Sequence, residues 1–235
     1  MPTVLLARHG ETTWNREGRL QGWAPTPLTD RGHDQAKSLA AAVDDAYDLD
    51  RVYASDLRRA RETAAYVAER GHDVTAERSW RERDIGRYQG LYKEEFYETQ
   101  PEYSLERTGR DAFDARPESG ESLRDVRERV RSDWADLRAS LGDDETALVV
   151  AHGGPLQLLV GDVAGRDPVS SVLEGTQENC ALNRLEVEDG ESRVVAENET
   201  AFLWLSPTGY SRENASSTAS PSLVASSSGL TLPVR

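Results

Sequence analysis

Two short apolar runs in this chain end the same way, and the shared ending restricts the architecture the chain can adopt. Val4-Leu5-Leu6-Ala7 leads into Arg8-His9-Gly10-Glu11-Thr12, and Ala147-Leu148-Val149-Val150-Ala151 leads into His152-Gly153-Gly154-Pro155. Each run has the length and continuity of a buried strand. The second hands over to Leu156, Leu158, Leu159 and Val160, with Pro155 placed for the first turn of a helix. Strands that pass into helices belong to open α/β sheets, where ligands bind outside the carboxyl ends of the strands. If the two runs are parallel neighbours, both histidines stand at one crevice.

The residues at these ends suit phosphate chemistry. An imidazole can attack phosphorus and carry the phosphoryl group, and a guanidinium beside it offers planar, permanently charged donors to the phosphate oxygens. Taken singly, Arg8-His9-Gly10 fits a turn with two solvated side chains equally well. His152 alone fits a helix-capping or core histidine bonded to backbone.

Between the two runs the pattern alternates strand and helix. Thr29 is placed to cap a helix reaching Ala46, with Ala36, Leu39, Ala40 and Val43 on one face. Arg51-Val52-Tyr53-Ala54 reads as a second strand, and residues 57–69 read as a helix with Leu57, Ala60, Ala64 and Val67 inward, ended by Gly71. An extended piece near Val74 precedes a loop from Trp80 to Gly90, and residues 13–29 read as a polar, turn-rich loop. Residues 91–122 scatter Tyr92, Phe96, Tyr97, Tyr103 and Phe113 among charges. They read as helical fragments forming a cap over the crevice, with a plain surface insertion as the alternative. Glu121 or Ser122 opens a long helix carrying Val126, Val130, Trp134, Leu137 and Leu141, stopped by Gly142. Two last strands, about 181–187 and 193–197, join at Asp189-Gly190 as a hairpin. The expectation is an α/β sandwich with a mainly parallel sheet, one domain over residues 1–205, and a Ser-rich disordered tail over 206–235.

Charge narrows the partners. The 42 acidic residues outnumber 28 basic ones, for a net charge of -14, and Lys37 and Lys93 are the only lysines. Nucleic acid and anionic membranes are poor partners for such a surface, and self-repulsion on this scale is best screened by concentrated salt. A halophilic, cytoplasmic protein is expected, since no apolar run is long enough to span a bilayer and Met1-Pro2-Thr3 leads straight into a strand. Cys180 is the sole cysteine, which excludes an internal disulfide and a thiolate zinc site; it reads as a small buried side chain in a strand. An anionic substrate meets repulsion from the average surface, so its site must be a concentrated pocket of arginine.

The ordered set of motifs is specific where its members are not. Arg8-His9-Gly10-Glu11-Thr12 is followed by Trp14-Asn15, Leu28-Thr29-x-x-Gly32, Ser55-Asp56-Leu57-Arg58-Arg59-Ala60-x-x-Thr63-Ala64, Glu82-x-x-x-Gly86, Gly120-Glu121-Ser122 and His152-Gly153-Gly154. Over roughly residues 3–205 this order resembles the histidine phosphatase superfamily, in its phosphoglycerate-mutase-like branch. The resemblance implies a three-layer α/β/α sandwich with a helical cap insertion. It also implies His9 as the nucleophile that becomes phosphohistidine, Arg8, Arg59 and His152 as the phosphate pocket, Glu82 as the proton donor, and no metal. Asn15, Gln21, Gly22 and Gly153 fall where family members contact phosphate or substrate. The expected reaction is hydrolysis of a small phosphorylated metabolite.

Elementary chemistry agrees with these roles. His9 must be neutral to attack, with one ring nitrogen held by an acceptor so that the other presents its lone pair. A protonated His152 would be the better donor to phosphate, and Asp84 is the rival to Glu82 as acid. In its bland role Glu82 would pair with Arg81 or Arg83, and Arg16, Arg19, Arg58 and Arg61 would be solvated charges. A cofactor-dependent phosphoglycerate mutase, using 2,3-bisphosphoglycerate, is the alternative enzyme, and a noncatalytic phosphate-binding regulatory domain the alternative of another class. Gln89-Gly90-Leu91-x-Lys93 fits the mutase version. Asp84-Ile85, the separated Arg107, Arg110 and Arg116, and Pro25 in the turn after Trp23 depart from it.

Overall fold

The computed structural model describes residues 1–204. The tail expected over 206–235 lies outside the described residues. In chain order the strands are β1 (Thr3–Arg8), β2 (Arg51–Ser55), β3 (Val74–Glu77), β4 (Thr146–Ala151), β5 (Leu182–Glu188) and β6 (Glu191–Glu199). The helices are α1 (Thr13–Arg16), α2 (Asp30–Ala46), α3 (Arg58–Ala68), α4 (Lys93–Thr99), α5 (Leu105–Thr108), α6 (Arg110–Asp114), α7 (Leu123–Ser140), α8 (Gly153–Val163) and α9 (Pro168–Glu174).

One sheet runs in the order β3-β2-β4-β1-β5-β6. The first four strands are parallel, and β5 and β6 add an antiparallel edge whose hairpin turns at Asp189 and Gly190, both at positive φ. The anticipated adjacency holds: β1 pairs with β4 in parallel from Thr3↔Thr146 to Arg8↔Ala151, so the two histidines follow paired residues. Alternation along β1 then splits the core in two. Val4 and Leu6 pack with Val126, Val130, Trp134 and Leu156 from α7 and α8, while Leu5 and Ala7 pack with Leu39, Val43, Ala60 and Val67 from α2 and α3. That is the three-layer α/β/α sandwich.

Local chemistry sets the helix starts. The Thr29 hydroxyl accepts from Gly32 N at 3.0 Å to cap α2, and Ser122 with Asp125 forms a reciprocal capping box for α7. Two short helices depart from expectation. α1 replaces the start of the predicted 13–29 loop, nucleated by a capping box between Thr12 and Asn15. α9 follows Asp167, whose carboxylate accepts from the Val169 and Ser170 amides. Cys180 is buried as expected but precedes β5 in a turn at φ 58°, where its amide donates to the carbonyls of Arg8 and His9. Residues 93–114 are helical fragments and residues 78–80 and 86–88 form single 3₁₀ turns. Among the described residues no helix is long and apolar enough to cross a membrane.

The motif order has a packing reason. A Cβ on Gly32 would sit 2.1 Å from the Glu11 carbonyl oxygen, and one on Gly10 would sit 2.4 Å from the Gly32 carbonyl oxygen. The loop after β1 therefore lies flat on the first turn of α2, and neither backbone has room for a side chain. Gly32→Ala is expected to cost on the order of 2–3 kcal/mol, because both contacting atoms are backbone and cannot rotate away. Urea unfolding of the variant would show it as a lowered midpoint with an unchanged slope.

Candidate active site

His9 sits at the carboxyl end of β1, fully enclosed, with its amide donating to Ala151 at 3.0 Å. Its carbonyl accepts from the Asn179 side chain at 3.0 Å, and the next amide, Gly10 N, donates to Thr63 Oγ1 at 3.0 Å. The ring is oriented by its own chain: Nδ1 lies 2.7 Å from the Gly10 carbonyl oxygen. A carbonyl only accepts, so Nδ1 carries the proton and Nε2 keeps its lone pair. Arg59 Nε donates to that Nε2 at 3.2 Å.

Arg59, buried, and Arg8, half-buried, are the cations beside His9. Arg59 comes from the inward face of α3, one turn before Thr63, and gives Nη2 to Gly22 O at 2.9 Å and Nη1 to Ala24 O at 3.3 Å. Both acceptors belong to the turn 21–24, which closes through Ala24 N to Gln21 O, so Pro25 after it leaves the clamp intact. Burial lowers the Arg59 pKa to about 10, opposed by the nearby Glu82 carboxylate, and the group stays charged at neutral pH. Arg8 gives Nη1 to Gln177 O, and its Nε is buried without a hydrogen-bond partner. A Cβ on Gly153 would stand 3.7 Å from that Nε.

His152 caps α8 with backbone alone, and its ring centroid lies 5.1 Å from that of His9. Its Nε2 is 2.8 Å from Ser55 Oγ, at the end of β2. Ser55 Oγ accepts from Leu57 N at 3.3 Å and keeps a second lone pair, so the bond with Nε2 runs either way with the ring's tautomer; with the hydroxyl donating, the ring proton sits on Nδ1. That Nδ1 is buried and unpartnered. Burial, then Arg59, holds both histidines well below the ordinary imidazole pKa, with Arg8 adding to His9 and His9 adding to His152. The His152 ring is thus held neutral, short of the protonated form that would be the better donor, and in the tautomer protonated at Nδ1 it can still donate to an anion.

Glu82 is turned away from its bland partners. Arg81 grips Asp56 through two nitrogens and lies over the Trp23 ring, and Arg83 donates to the carbonyls of Glu121 and Ala115. The Glu82 carbonyl is held by Trp23 Nε1 at 2.7 Å and Arg129 Nη2 at 3.0 Å, while its carboxylate accepts from Arg83 N at 2.8 Å and Gly154 N at 3.4 Å. Glu121 joins this scaffold by pairing with Arg129 and accepting from Asp84 N. Asp84 itself spends its carboxylate on Gly86 N and does not line the cavity.

A cavity of about 430 Å³ opens over these groups, lined at its inner end by Arg8, His9, Arg59, Glu82, Asn15, Gln21, Gly22 and Gly154. Asn15 and Gln21 direct their oxygens at the Thr12 hydroxyl, leaving their amide N–H groups for a ligand. Gly153 is not among the lining residues and stands beside Arg8, while Gly154 lines the cavity. Arg19, expected to be solvated, also lines the cavity and stacks on Tyr92, whereas Arg58 pairs with Glu62 and Arg16 and Arg61 are exposed. Asn179, Ser55, Thr63 and Arg129 were not singled out from sequence. Ser55 and Thr63 were within reach, as members of the quoted Ser55 to Ala64 motif.

The two depressed histidines carry a stability consequence. The native state resists protonation of His9 and His152, while the unfolded chain binds those protons below about pH 6.5. Stability is therefore full above that pH and falls as pH drops, by up to about 1.4 kcal/mol per unit for each histidine. Urea unfolding at pH 7, 6 and 5 should show this decline, and His152→Gln should flatten it.

Comparison with known proteins places this geometry. Residues 4–200 match the model of the histidine phosphatase superfamily, branch 1. A 2,3-bisphosphoglycerate-dependent phosphoglycerate mutase of Staphylococcus carnosus is 33% identical over 195 residues, covering 70% of this chain and 86% of its own. A metal-independent phosphoserine phosphatase of Arabidopsis thaliana is 35% identical over 159 residues, 66% of either chain. The mycobacterial glucosyl-3-phosphoglycerate phosphatase, solved with VO3, superposes with a TM-score of 0.72 at 29% identity, over 84% of this chain and 99% of that one. The chain belongs to the histidine phosphatase superfamily.

Proposed function

We propose that this protein hydrolyses a small phosphomonoester through a phosphohistidine at His9 Nε2. The observation that carries the reading is a neutral, backbone-oriented imidazole with its lone pair at the inner end of a cavity lined by two guanidiniums, Arg8 and Arg59. An incoming phosphate competes for the Arg59 donors and frees Nε2. Nε2 then attacks phosphorus as the bond to the leaving oxygen breaks, and the Glu82 carboxyl gives its proton to that oxygen. In the second half Glu82 takes a proton from water, which attacks phosphorus, releases inorganic phosphate and restores His9. Arg8, Arg59 and the Nδ1–H of His152 favour the charge spread over the transferring group. No step calls on a metal.

Hydrolysis is favoured over mutase action by where the arginines of the cap go. Arg107 reaches the Glu98 carbonyl, Arg110 pairs with Asp167 and Arg116 with Asp125, and none of the three lines the cavity. The cations that do line the outer cavity are Arg19, Arg83 and Lys93, and the first two donate to acceptors of the protein. In this reading residues 1–205 act as one catalytic domain, residues 91–122 serve as its cap, and the protein works in a cytoplasm rich in salt.

Glu82→Gln is expected to lower kcat on an alkyl phosphate at least ~100-fold, and Asp84→Asn only a few-fold, in a steady-state assay for released phosphate. The reverse ranking would move the acid role to Asp84. His9→Ala should abolish release, and 3-phosphoglycerate with 2,3-bisphosphoglycerate should yield free phosphate in excess of isomer. Raising KCl from dilute to about molar, where the screening length shrinks to roughly 3 Å, should raise the melting temperature. A steady fall in melting temperature over that range would overturn the high-salt reading.

A further inference from the structure

The outer half of the cavity differs from its phosphate end. Phe96, Tyr97, Tyr103, Leu105, Val172 and Leu173 line it, drawn from α4, α5, α9 and the 3₁₀ turn at 101–103. Tyr103 lies flat on the buried Phe96 ring, with centroids 5.5 Å apart and planes at 14°, so that part of the wall is fixed by its own packing. Tyr97 and Leu173 are 37% and 45% exposed, unusual for large apolar side chains in this structure. Some of the polar groups nearby are committed to the protein, while Ser104 and Glu106 also line the cavity. Arg83 is used by two carbonyls, Arg19 by Glu17 and the Gly90 carbonyl, and Gln157 by the Gly175 carbonyl. Lys93 also lines the cavity, so esters with a terminal carboxylate are the competing class.

We propose that the leaving group selected here is an alkyl or aryl alcohol with an apolar body, laid against the wall of Phe96, Tyr97, Tyr103, Leu105, Val172 and Leu173. This rests on the phosphatase reading above and names its substrate class. The cavity volume of about 430 Å³ falls in the range, roughly 300–1,000 Å³, that encloses drug-sized ligands, and the wall is continuous with the phosphate end. Fixing the phosphate at Arg8 and Arg59 directs whatever is esterified to it outward along that wall. An apolar body gains from burying surface against that wall.

A series of straight-chain alkyl phosphates from ethyl to hexyl tests this, because their leaving oxygens have nearly equal intrinsic reactivity. Full burial is worth about fourfold per methylene, so partial burial should raise kcat/KM at least about tenfold from ethyl to hexyl. Leu173→Asn, at a half-exposed position, should reduce the hexyl-to-ethyl ratio at least about threefold. A flat series, a ratio untouched by that substitution, or 3-phosphoglycerate or phosphoserine surpassing hexyl phosphate in kcat/KM would overturn the inference while leaving the phosphatase reading in place. Absence of turnover on every ester would overturn both.

Discussion

A buried guanidinium and a half-buried one beside two neutral imidazoles are the constraint around which this site is arranged. Taking an arginine out of water costs several kcal/mol unless its donors are met. Arg59 is met by the carbonyls of Gly22 and Ala24 and by His9 Nε2, and Arg8 by the Gln177 carbonyl. Each acceptor is a neutral dipole, apart from the Glu82 carboxylate, which balances the pair electrostatically without an ion-pair contact to either. The cations are thus held in place yet left with charge to offer. Burial first, and the field of these cations second, disfavours protonation of the adjacent histidines, so the feature suited to an anion also helps keep the imidazoles neutral.

The loops follow from that arrangement. The turn at 21–24 exists as an acceptor for Arg59, and its geometry depends on Gly22 at φ 50° and on carbonyl direction, which explains why Pro25 can stand after it. The 81–86 segment is pinned from behind by Arg129 and Glu121, so that Glu82 faces the cavity and Asp84 faces its own turn. Gly154 approaches Glu82 closely enough that a Cβ there would lie 2.6 Å from Oε1. The start of α8 and the end of the acidic loop are consequently fitted to each other across the crevice.

Much of this was legible in the sequence, for identifiable reasons. β1, β4, α2 and α7 carry long apolar patterns with capping residues, and burial at those positions leaves little choice of face. The shared ending at His9 and His152 is read from residue type, and sheet pairing makes it spatial. What escaped is local and mostly backbone-directed. α1 is four residues long and its capping box uses Asn15 where Glu or Gln is the usual signal. α9 did have a signal, Asp167 followed by Pro168, and could have been found. Cys180 adopts a positive φ that no cysteine advertises, forced by its amide bonding the carbonyls of Arg8 and His9. The neutral state of His152 follows from how completely its ring is enclosed, which residue type does not show.

The acidity of the chain and the basicity of its cavity are best understood together. A net charge of -14 gives the surface a field that repels phosphate esters at a distance, and the cavity inverts that field only within a short range. At low ionic strength a dianion meets a barrier before it meets Arg8 or Arg59. Salt removes that barrier, because the surface charges are solvated and separated by more than a screening length. The buried pair is screened far less, since ions do not enter between Arg59, His9 and the carbonyls that hold them. Rising salt therefore weakens the repulsion without weakening the trap to the same degree, and the exposed negative charge costs the enzyme least where salt is most concentrated.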